Sequence, residues 1–264
     1  MRPPLLSRCL DVAIRAAHKV GKLLVARMGK PKTIRTKRSR IDLVTDIDLA
    51  SERIIHDTIR STFPDHGFQG EERTRSHLHA PYRWIVDPLD GTTNFVHGVP
   101  TFAVSIALVR DEELLVGVIY DPTRQDTFTA IKGAGARLNG TRIRVSRIRR
   151  LSQSLLSTGF SPRFRQQARR YLRWFEAFQL RCHGVRRVGC TSLSLAYVAC
   201  GRQDGFYEQD LKSWDIAAGL LLVREAGGGV SDFHGHAVRL ERGQVIASNG
   251  WIHDEMLAVL ARAS

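Results

Sequence analysis

The sequence predicts a mixed α/β (α+β) fold, and three observations support this. Helix-periodic apolar segments alternate with short β-rich runs along the chain. Three successive β-rich runs joined by short polar turns predict an antiparallel meander. The chain has 264 residues, 43% of them hydrophobic, and can bury a large core in one or two domains. A basic connector suggests a boundary between an α+β half, 1–150, and an α/β half, 151–264.

The N-terminal half begins with a predicted amphipathic helix within residues 1–30. Its apolar residues recur at helical spacing; they are Leu10, Ile14, Ala17 and Leu24. A second predicted helix begins near Asp48, carries Ile54, Ile55, Ile59 and Phe63, and ends at Pro64. The meander follows, with predicted strands at 102–109, 114–120 and 127–131. Glycines at 133, 135 and 140 predict a turn after it.

Strands and helices alternate in the C-terminal half. The predicted strands are 154–158, 205–208 and 245–248. The predicted helices are 166–178, 192–200, 215–225 and 252–262.

The composition excludes several classes of protein. No apolar run approaches the roughly 20 residues that a membrane span requires, and residues 1–30 lack the apolar block of a signal peptide. The four cysteines show neither a CxxC motif nor zinc spacing. Reduced thiols in a cytoplasmic protein are the simplest interpretation.

An acidic motif is the most informative segment. Residues 84–95 read WIVDPLDGTTNF, so Asp87 and Asp90 lie three residues apart where a buried strand ends. Pro88 and Gly91 favour a bend there. Carboxylates suit a hard cation, and the backbone N–H groups after Gly91 suit a phosphate. For an isolated pair of aspartates, simple capping of a turn is the competing interpretation.

Two further acidic positions support a cation site. Glu71 belongs to a Gly-Glu-Glu segment at 70–72, and Asp215 opens a long apolar helical pattern. Together with Asp87 and Asp90 they would supply the oxygen-only ligand set that Mg²⁺ prefers.

These segments together resemble the inositol monophosphatase family, within the Mg²⁺-dependent, lithium-sensitive phosphatases. The resemblance covers nearly the whole chain. It rests on residues 84–95, on LVTDID at 43–48, on GEE at 70–72, on GAGARLNG at 133–140, and on WDIAAG at 214–219 with EAGG at 225–228. It implies a layered sandwich of alternating helices and sheets, as in the sugar phosphatases, with the active site between the two halves.

The resemblance implies two to three Mg²⁺ ions, held mostly by the N-terminal half. Glu71, Asp87 and the carbonyl group of Leu89 would hold the first ion. Asp87, Asp90 and Asp215 would hold the second, and a third would share Glu71 through waters. A water on the first ion would be the nucleophile, oriented by Thr92 and Asp48, with Glu71 also in a catalytic role. This agrees with the chemistry of metal-activated water, which needs no protein nucleophile.

Substrate selection is expected from the C-terminal half. Glu208 precedes Asp215 by seven positions, where the family places the acid that contacts the ring hydroxyl groups of inositol. The expected substrate contacts are Asp90, Gly91, Thr92, Arg186, Gly189, Cys190, Thr191, Glu208 and Asp215. The chain departs from its bacterial relatives at 190–192 and at Ser194, where they usually carry small residues and an Asp.

The net charge of +14 is the feature that the resemblance does not explain. Basic residues are concentrated at 30–40, 142–150 and 163–173. The simplest interpretation of the third cluster is a solvated helix face, with Phe164, Ala168, Leu172 and Phe175 directed into the core. The alternative is a surface for nucleic acid, because Phe164, Tyr171 and Trp174 are interleaved with arginines. Steering of anionic substrates is a third possibility.

The favoured function is therefore Mg²⁺-dependent hydrolysis of myo-inositol 1-phosphate to inositol and phosphate, and the family suggests a homodimer. Related phosphatases act on fructose 1,6-bisphosphate, histidinol phosphate or 3′-phosphonucleotides, and these substrates stay open. The second hypothesis is binding to RNA or RNA polymerase, since some bacterial relatives serve in antitermination.

Overall fold

The structure is a computed structural model that describes residues 4–30, 33–36, 43–161 and 163–263. The helices within these ranges are α1 (Pro4–Arg27), α2 (Asp46–Arg60), α3 (Thr92–Val96), α4 (Phe164–Gln179), α5 (Thr191–Ala199), α6 (Ser213–Glu225) and α7 (His253–Ala263). The strands are β1 (Ile34–Thr36), β2 (Leu43–Thr45), β3 (Gly67–Gly70), β4 (Arg75–Ser76), β5 (Tyr82–Asp90), β6 (Ala103–Arg110), β7 (Glu113–Asp121), β8 (Asp126–Ile131), β9 (Gly135–Leu138), β10 (Thr141–Arg142), β11 (Leu155–Thr158), β12 (Gly184–Arg187), β13 (Gly205–Glu208), β14 (Gly229–Ser231) and β15 (Val245–Ser248).

Two large sheets organise these elements. The first has eight strands in the order β10-β9-β8-β7-β6-β5-β3-β4, and it is antiparallel except where β3 runs parallel to β5. The second has five strands in the order β12-β11-β13-β15-β14, and β11 runs parallel to both neighbours. Strands β1 and β2 form a small antiparallel pair. The predicted meander is confirmed as β6-β7-β8.

Helices and sheets alternate in five layers. Helices α1 and α2 cover one face of the eight-stranded sheet, and α5 and α6 lie between the two sheets. Helices α4 and α7 cover the far face of the five-stranded sheet. Each interface between layers has its own apolar core. Side chains alternate along β5, so Trp84 and Val86 lie in the first core, beneath α1 and α2, whereas Ile85 lies in the middle core, between the two sheets.

The middle core joins the two halves of the sequence. Ile119 of the first sheet and Leu195 of α5 belong to the same buried cluster as Phe206 of the second sheet. The first large sheet ends at Arg142 and the second begins at Leu155, so a boundary near 150 separates sheets that share a core. The division of the chain into two domains at this boundary stays a prediction.

Most predicted elements agree with the structure, with one correction in α2. The predicted helix extended to Pro64, but α2 ends at Arg60 and Ser61 caps its last turn. Phe63 therefore lies beyond the helix, although it is buried in the first core.

The predicted inward face of α4 is confirmed in part, because Phe164 and Phe175 pack against the third core, whereas the prediction for Leu172 is wrong. Leu172 is 52% exposed, while the buried residues of the helix are Tyr171, Trp174 and Phe178. The backbone at Gln167 departs from helical geometry, with φ of −126° and ψ of 20°. An apolar face extended from Phe164 by regular helical spacing therefore no longer matches the buried face beyond this kink.

Candidate active site

A cleft of about 450 Å³ opens between the two sheets. Strands β3 and β5 point their carboxyl ends towards it from the first sheet, and β11, β12 and β13 do so from the second. The predicted site residues that line the cleft are Glu71, Asp87, Leu89, Asp90, Gly91, Thr92, Gly189, Cys190, Thr191, Glu208 and Asp215. The fold thus brings together residues from both sheets, from three helices and from the turns between them.

The end of β5 has the bend that its sequence predicts. The pairing of β5 with β6 is interrupted between Asp87 and Asp90, where Pro88 has no N–H group to donate. Gly91 has a φ of 91°, in the left-handed region, and α3 begins directly after it. A Cβ atom at Gly91 would lie 3.0 Å from the Thr101 carbonyl oxygen, so glycine suits this position both sterically and conformationally.

Asp87 lies at the centre of an acidic cluster. Its side chain is only 2% exposed, and burial raises its pKa well above the ordinary value. The charges of Glu71, Asp90 and Asp215 raise that pKa further. Asp87 also shares a side-chain hydrogen bond with Glu71. Two buried carboxyl groups that share a hydrogen bond need either a proton or a cation between them, because two negative charges would repel each other there.

Backbone and hydroxyl donors orient three of these acids. Asp90 Oδ2 accepts from the Ser192 N–H and hydroxyl groups, both at 2.6 Å. Asp215 Oδ2 accepts from the Lys212 N–H group at 2.7 Å, and Asp87 Oδ1 from the Leu89 N–H group at 3.0 Å. Burial raises the pKa of both Asp90 and Asp215.

This donor set has the chemistry of a Mg²⁺ site. It offers several carboxylates, a backbone carbonyl group at Leu89 and space for waters, all of them hard oxygen donors. Across the described ranges, no three His, Cys, Asp or Glu side chains already converge as a closed metal cage. The four acids instead line one cleft and perturb one another electrostatically.

Asp48 reaches the cleft through Thr92. Asp48 is fully buried at the start of α2, where it accepts from the Thr45 N–H group at 2.8 Å within a capping box. Its Oδ1 atom accepts from the Thr92 hydroxyl group at 3.2 Å. Thr92 lines the cleft whereas Asp48 does not, so Asp48 lies behind Thr92.

Glu208 forms part of the opposite wall. It ends β13, directly after Tyr207, which pairs with Thr158 of β11, and it accepts from the Thr191 hydroxyl group at 3.1 Å. Burial raises the pKa of Glu208 to about 8, and its bond to Thr191 partly offsets that effect. A Cβ atom at Gly159 would lie 2.2 Å from either carboxylate oxygen, so glycine at 159 makes room for this side chain.

Arg186 does not line the cleft, in contrast to the sequence-based expectation, and Arg187 does. The two residues are neighbours on β12, where successive side chains point to opposite faces. Arg187 ends the strand, level with Thr158 of β11, and its guanidinium group lies 5.6 Å from the centre of the Phe160 ring. Any contact between this strand and a bound anion would therefore involve Arg187.

Sequence reasoning also missed Glu52. This residue is 2% exposed on α2, and its carboxylate accepts from the N–H groups of Glu72, Arg73 and Thr74 at 2.7 to 2.9 Å. It thereby fixes the turn that follows Glu71. A charged residue four positions after Asp48, on the helix face that also carries Ile55 and Ile59, is a signal that could have identified it.

Comparisons with known proteins agree with this geometry. The model of the inositol monophosphatase family matches residues 5–264. The chain belongs to the inositol monophosphatase family. It is 46% identical over 246 residues to Nus factor SuhB of Pseudomonas aeruginosa, covering 91% of each chain. It is 41% identical over 258 residues to inositol-1-monophosphatase of Rhizobium meliloti, covering 97% of each chain.

Solved structures support the same assignment. Inositol monophosphatase from Anabaena superposes with a TM-score of 0.89 at 38% identity, covering 97% of this chain and 96% of that one. The layered sandwich expected from the inositol monophosphatase family is therefore confirmed. Within the described ranges, no helix has the length and apolarity needed to cross a membrane.

Proposed function

We propose that this protein is a Mg²⁺-dependent phosphomonoesterase that hydrolyses myo-inositol 1-phosphate to inositol and phosphate. The observation that carries the proposal is the placement of four acids and Glu208 on facing walls of one cleft. The acids suit a hard cation with its phosphate, and Glu208 suits a polyol. Membership of a phosphatase family and the name of the Rhizobium relative support it further.

Glu71, Asp87 and the Leu89 carbonyl group would hold one Mg²⁺ ion, and Asp87, Asp90 and Asp215 a second, with a third near Glu71. Bound Mg²⁺ would lower the pKa of a coordinated water and offset the charge of the phosphate. The residues fit this role because their negative charges repel one another and raise one another's pKa. A bound cation would offset this repulsion.

Thr92 and Asp48 would orient the attacking water. The Thr92 hydroxyl group can donate to Asp48 and accept from water at the same time, so a proton could pass from water towards a buried carboxylate. Gly91 caps α3 and Thr92 is its first residue, and both line the cleft, where their N–H groups would bind phosphate oxygens. Arg187 is an exposed cation on the opposite wall that would attract the same anion.

Glu208 would select the polyol. With its pKa raised to about 8, the carboxyl group is largely protonated at neutral pH and can both donate to and accept from ring hydroxyl groups. Gly189, Cys190 and Thr191 would complete this wall. Rejection of non-polyol esters would follow from the cost of leaving this buried polar group without a partner.

A substrate panel tests the proposal. Phosphate release is measured for myo-inositol 1-phosphate, fructose 1,6-bisphosphate, histidinol phosphate and adenosine 3′,5′-bisphosphate, each with and without Mg²⁺ and with added LiCl. We expect preference for inositol phosphate, strict Mg²⁺ dependence and inhibition by lithium. Turnover of only another ester would leave the cation site in place and remove the specificity assigned to Glu208.

A second candidate function is binding to nucleic acid or RNA polymerase. The arginines of the clusters at 142–150 and 163–173 are exposed, and the similar Pseudomonas protein carries the name Nus factor. Tyr171 and Trp174 are buried, so they cannot stack on bases, and the contribution of α4 would be electrostatic. Most of the cluster at 30–40 lies outside the described residues.

Salt dependence tests this second candidate. Binding of single-stranded RNA through several phosphate contacts should weaken by about three orders of magnitude between low and moderate salt. Absence of binding at low salt would remove the nucleic acid candidate, whereas binding to RNA polymerase would be tested separately by co-sedimentation. The homodimer that the family suggests is also a proposal, and sedimentation equilibrium of the purified chain tests it.

A further inference from the structure

The first turn of α5 contacts acids from both sheets. Ser192 donates through its hydroxyl group and its N–H group to Asp90 Oδ2, and the Cys190 thiol group lies 3.1 Å from the same oxygen. Thr191, the residue between them, donates to Glu208 Oε2 at 3.1 Å. Asp90 ends β5 of the first sheet, and Glu208 ends β13 of the second. Three consecutive residues therefore hold two acids on opposite walls of the cleft.

The bonds to Asp90 restrict how its carboxylate can rotate. Three donors converge on Oδ2, which leaves Oδ1 as the oxygen that these bonds do not occupy. Hydrogen bonds to an ionised carboxylate are stronger than those between neutral groups. The side chains of Ser192 and Cys190 thus present one oxygen of Asp90 to the acidic cluster.

Glu208 is held in a similar way by a single hydroxyl group. The bond from Thr191 fixes Oε2, and the absence of a side chain at Gly159 leaves the space that the carboxyl group occupies. Because Glu208 is 7% exposed, little water can reach its carboxyl group and replace this bond. Loss of the Thr191 hydroxyl group would leave one carboxyl oxygen of a buried acid without this partner.

These hydroxyl groups do not serve the helix itself. Ser194, one turn along, donates to the Cys190 carbonyl oxygen within α5. Ser192 and Thr191 instead donate to acids that line the cleft and lie in other elements. A purely helix-stabilising role would favour the pattern seen at Ser194.

We propose that Ser192 and Thr191 are separate positioning residues, Ser192 for the cation ligand Asp90 and Thr191 for the substrate-selecting Glu208. This inference rests on the proposed phosphatase function and extends it. It assigns metal affinity and substrate preference to adjacent side chains of a single helical turn, so the two properties should change independently.

The test compares Ser192→Ala with Thr191→Val, each of which removes one hydroxyl group. The control is Ser154→Ala, which removes a buried hydroxyl group that donates to the Leu151 carbonyl oxygen, away from the cleft. Mg²⁺ affinity is measured by calorimetry without substrate. KM and kcat are measured for myo-inositol 1-phosphate and for p-nitrophenyl phosphate, and the melting temperature of each variant is recorded.

Ser192→Ala should weaken Mg²⁺ binding about tenfold, the size expected for one lost bond to a charged group, and leave the preference between the two esters unchanged. Thr191→Val should leave Mg²⁺ affinity unchanged and raise KM for inositol phosphate about tenfold relative to the aryl ester. Ser154→Ala should alter only the melting temperature. Parallel changes in both properties, or changes in neither, would overturn the inference.

A second pair of variants covers a failure of Ser192→Ala to fold. Cys190→Ala removes a donor to Asp90, whereas Cys190→Ser keeps one. Weaker Mg²⁺ binding in the alanine variant alone would support the inference, and equal binding in both would contradict it. A wild-type protein that binds Mg²⁺ but hydrolyses no ester would instead overturn the proposed function. The calorimetric comparison of the variants would still test whether Ser192 positions Asp90.

Discussion

The Thr92 hydroxyl group lies 3.2 Å from Asp48 Oδ1 and 3.0 Å from the Leu89 carbonyl oxygen. Asp48 is fully buried, so Thr92 is its connection to the cleft. A hydroxyl group has one proton to donate and can therefore serve one of these acceptors at a time. A cation on the Leu89 carbonyl group would compete for that oxygen and favour donation to Asp48.

Replacing Thr92 with Val should lower kcat about 100-fold or more and change KM little, because the hydroxyl group that orients water is lost while the shape is kept. Steady-state kinetics with inositol phosphate measure this. Thr92→Ser retains the hydroxyl group and should recover most of the activity. A Val variant with wild-type kcat would remove Thr92 and Asp48 from the reaction.

Glu208→Gln should separate substrate selection from chemistry. The amide keeps the size of the side chain but changes its hydrogen-bonding groups, so KM for inositol phosphate should rise about tenfold or more while KM for p-nitrophenyl phosphate changes little. Kinetics on the two esters under saturating Mg²⁺ provide the comparison. Equal losses on both esters would argue that Glu208 serves the general structure of the cleft.

Glu52→Gln should loosen the turn that carries Glu71. One carboxylate accepts three backbone N–H groups there, and an amide NH₂ group would oppose at least one of them. We expect a loss of about 1 to 3 kcal/mol in the free energy of unfolding and weaker Mg²⁺ binding. Urea unfolding and calorimetry measure the two effects. The exposed Glu176→Gln on α4 is the matched control, and a Glu52 variant indistinguishable from it would refute this role.

The stability of the metal-free protein should fall as pH rises from 6.5 to 8.5. The unfolded chain has its carboxyl groups ionised in this range, whereas burial raises the pKa of Glu208 to about 8 and that of Asp87 and Asp215 well above normal. The folded state therefore binds more protons, and stability declines with pH. Burial lowers the pKa of His18, His66 and His253, so histidine effects lie below this window.

Thermal melts across that range, with and without MgCl₂, measure the dependence. Mg²⁺ should stabilise the protein most at high pH, where the acids are ready to bind it. Glu208→Gln should reduce the slope of the metal-free protein. A flat profile in wild type would contradict the assignment of raised pKa values to the cleft.

Local sequence patterns predicted much of the fold and the acidic residues of the site. Asp87 and Asp90 were identified from a strand followed by proline and glycine, and the meander from its turns. Spacing could not show that Asp215 would reach Asp87 across more than a hundred residues, because that depends on α6 packing against the first sheet. The family resemblance predicted this placement.

The errors have local physical causes. Arg186 was expected at the cleft, but alternation along β12 gives that place to Arg187. Leu172 of α4 was assigned to the core but is exposed, because the kink at Gln167 changes which side of the helix is buried beyond it. Glu52 and Ser192 were missed because their importance lies in hydrogen bonds to residues distant in sequence, which a pattern of residue types does not reveal.

The most direct test of the central claim is phosphate release from myo-inositol 1-phosphate as MgCl₂ is added to chelator-treated protein, for wild type and Asp90→Asn. We expect no turnover without Mg²⁺, saturable activation of wild type, and no activation of the variant, because Asp90 would be a ligand of the second Mg²⁺ ion. Turnover that survives chelation, or an Asp90→Asn variant as active as wild type, would contradict the central claim.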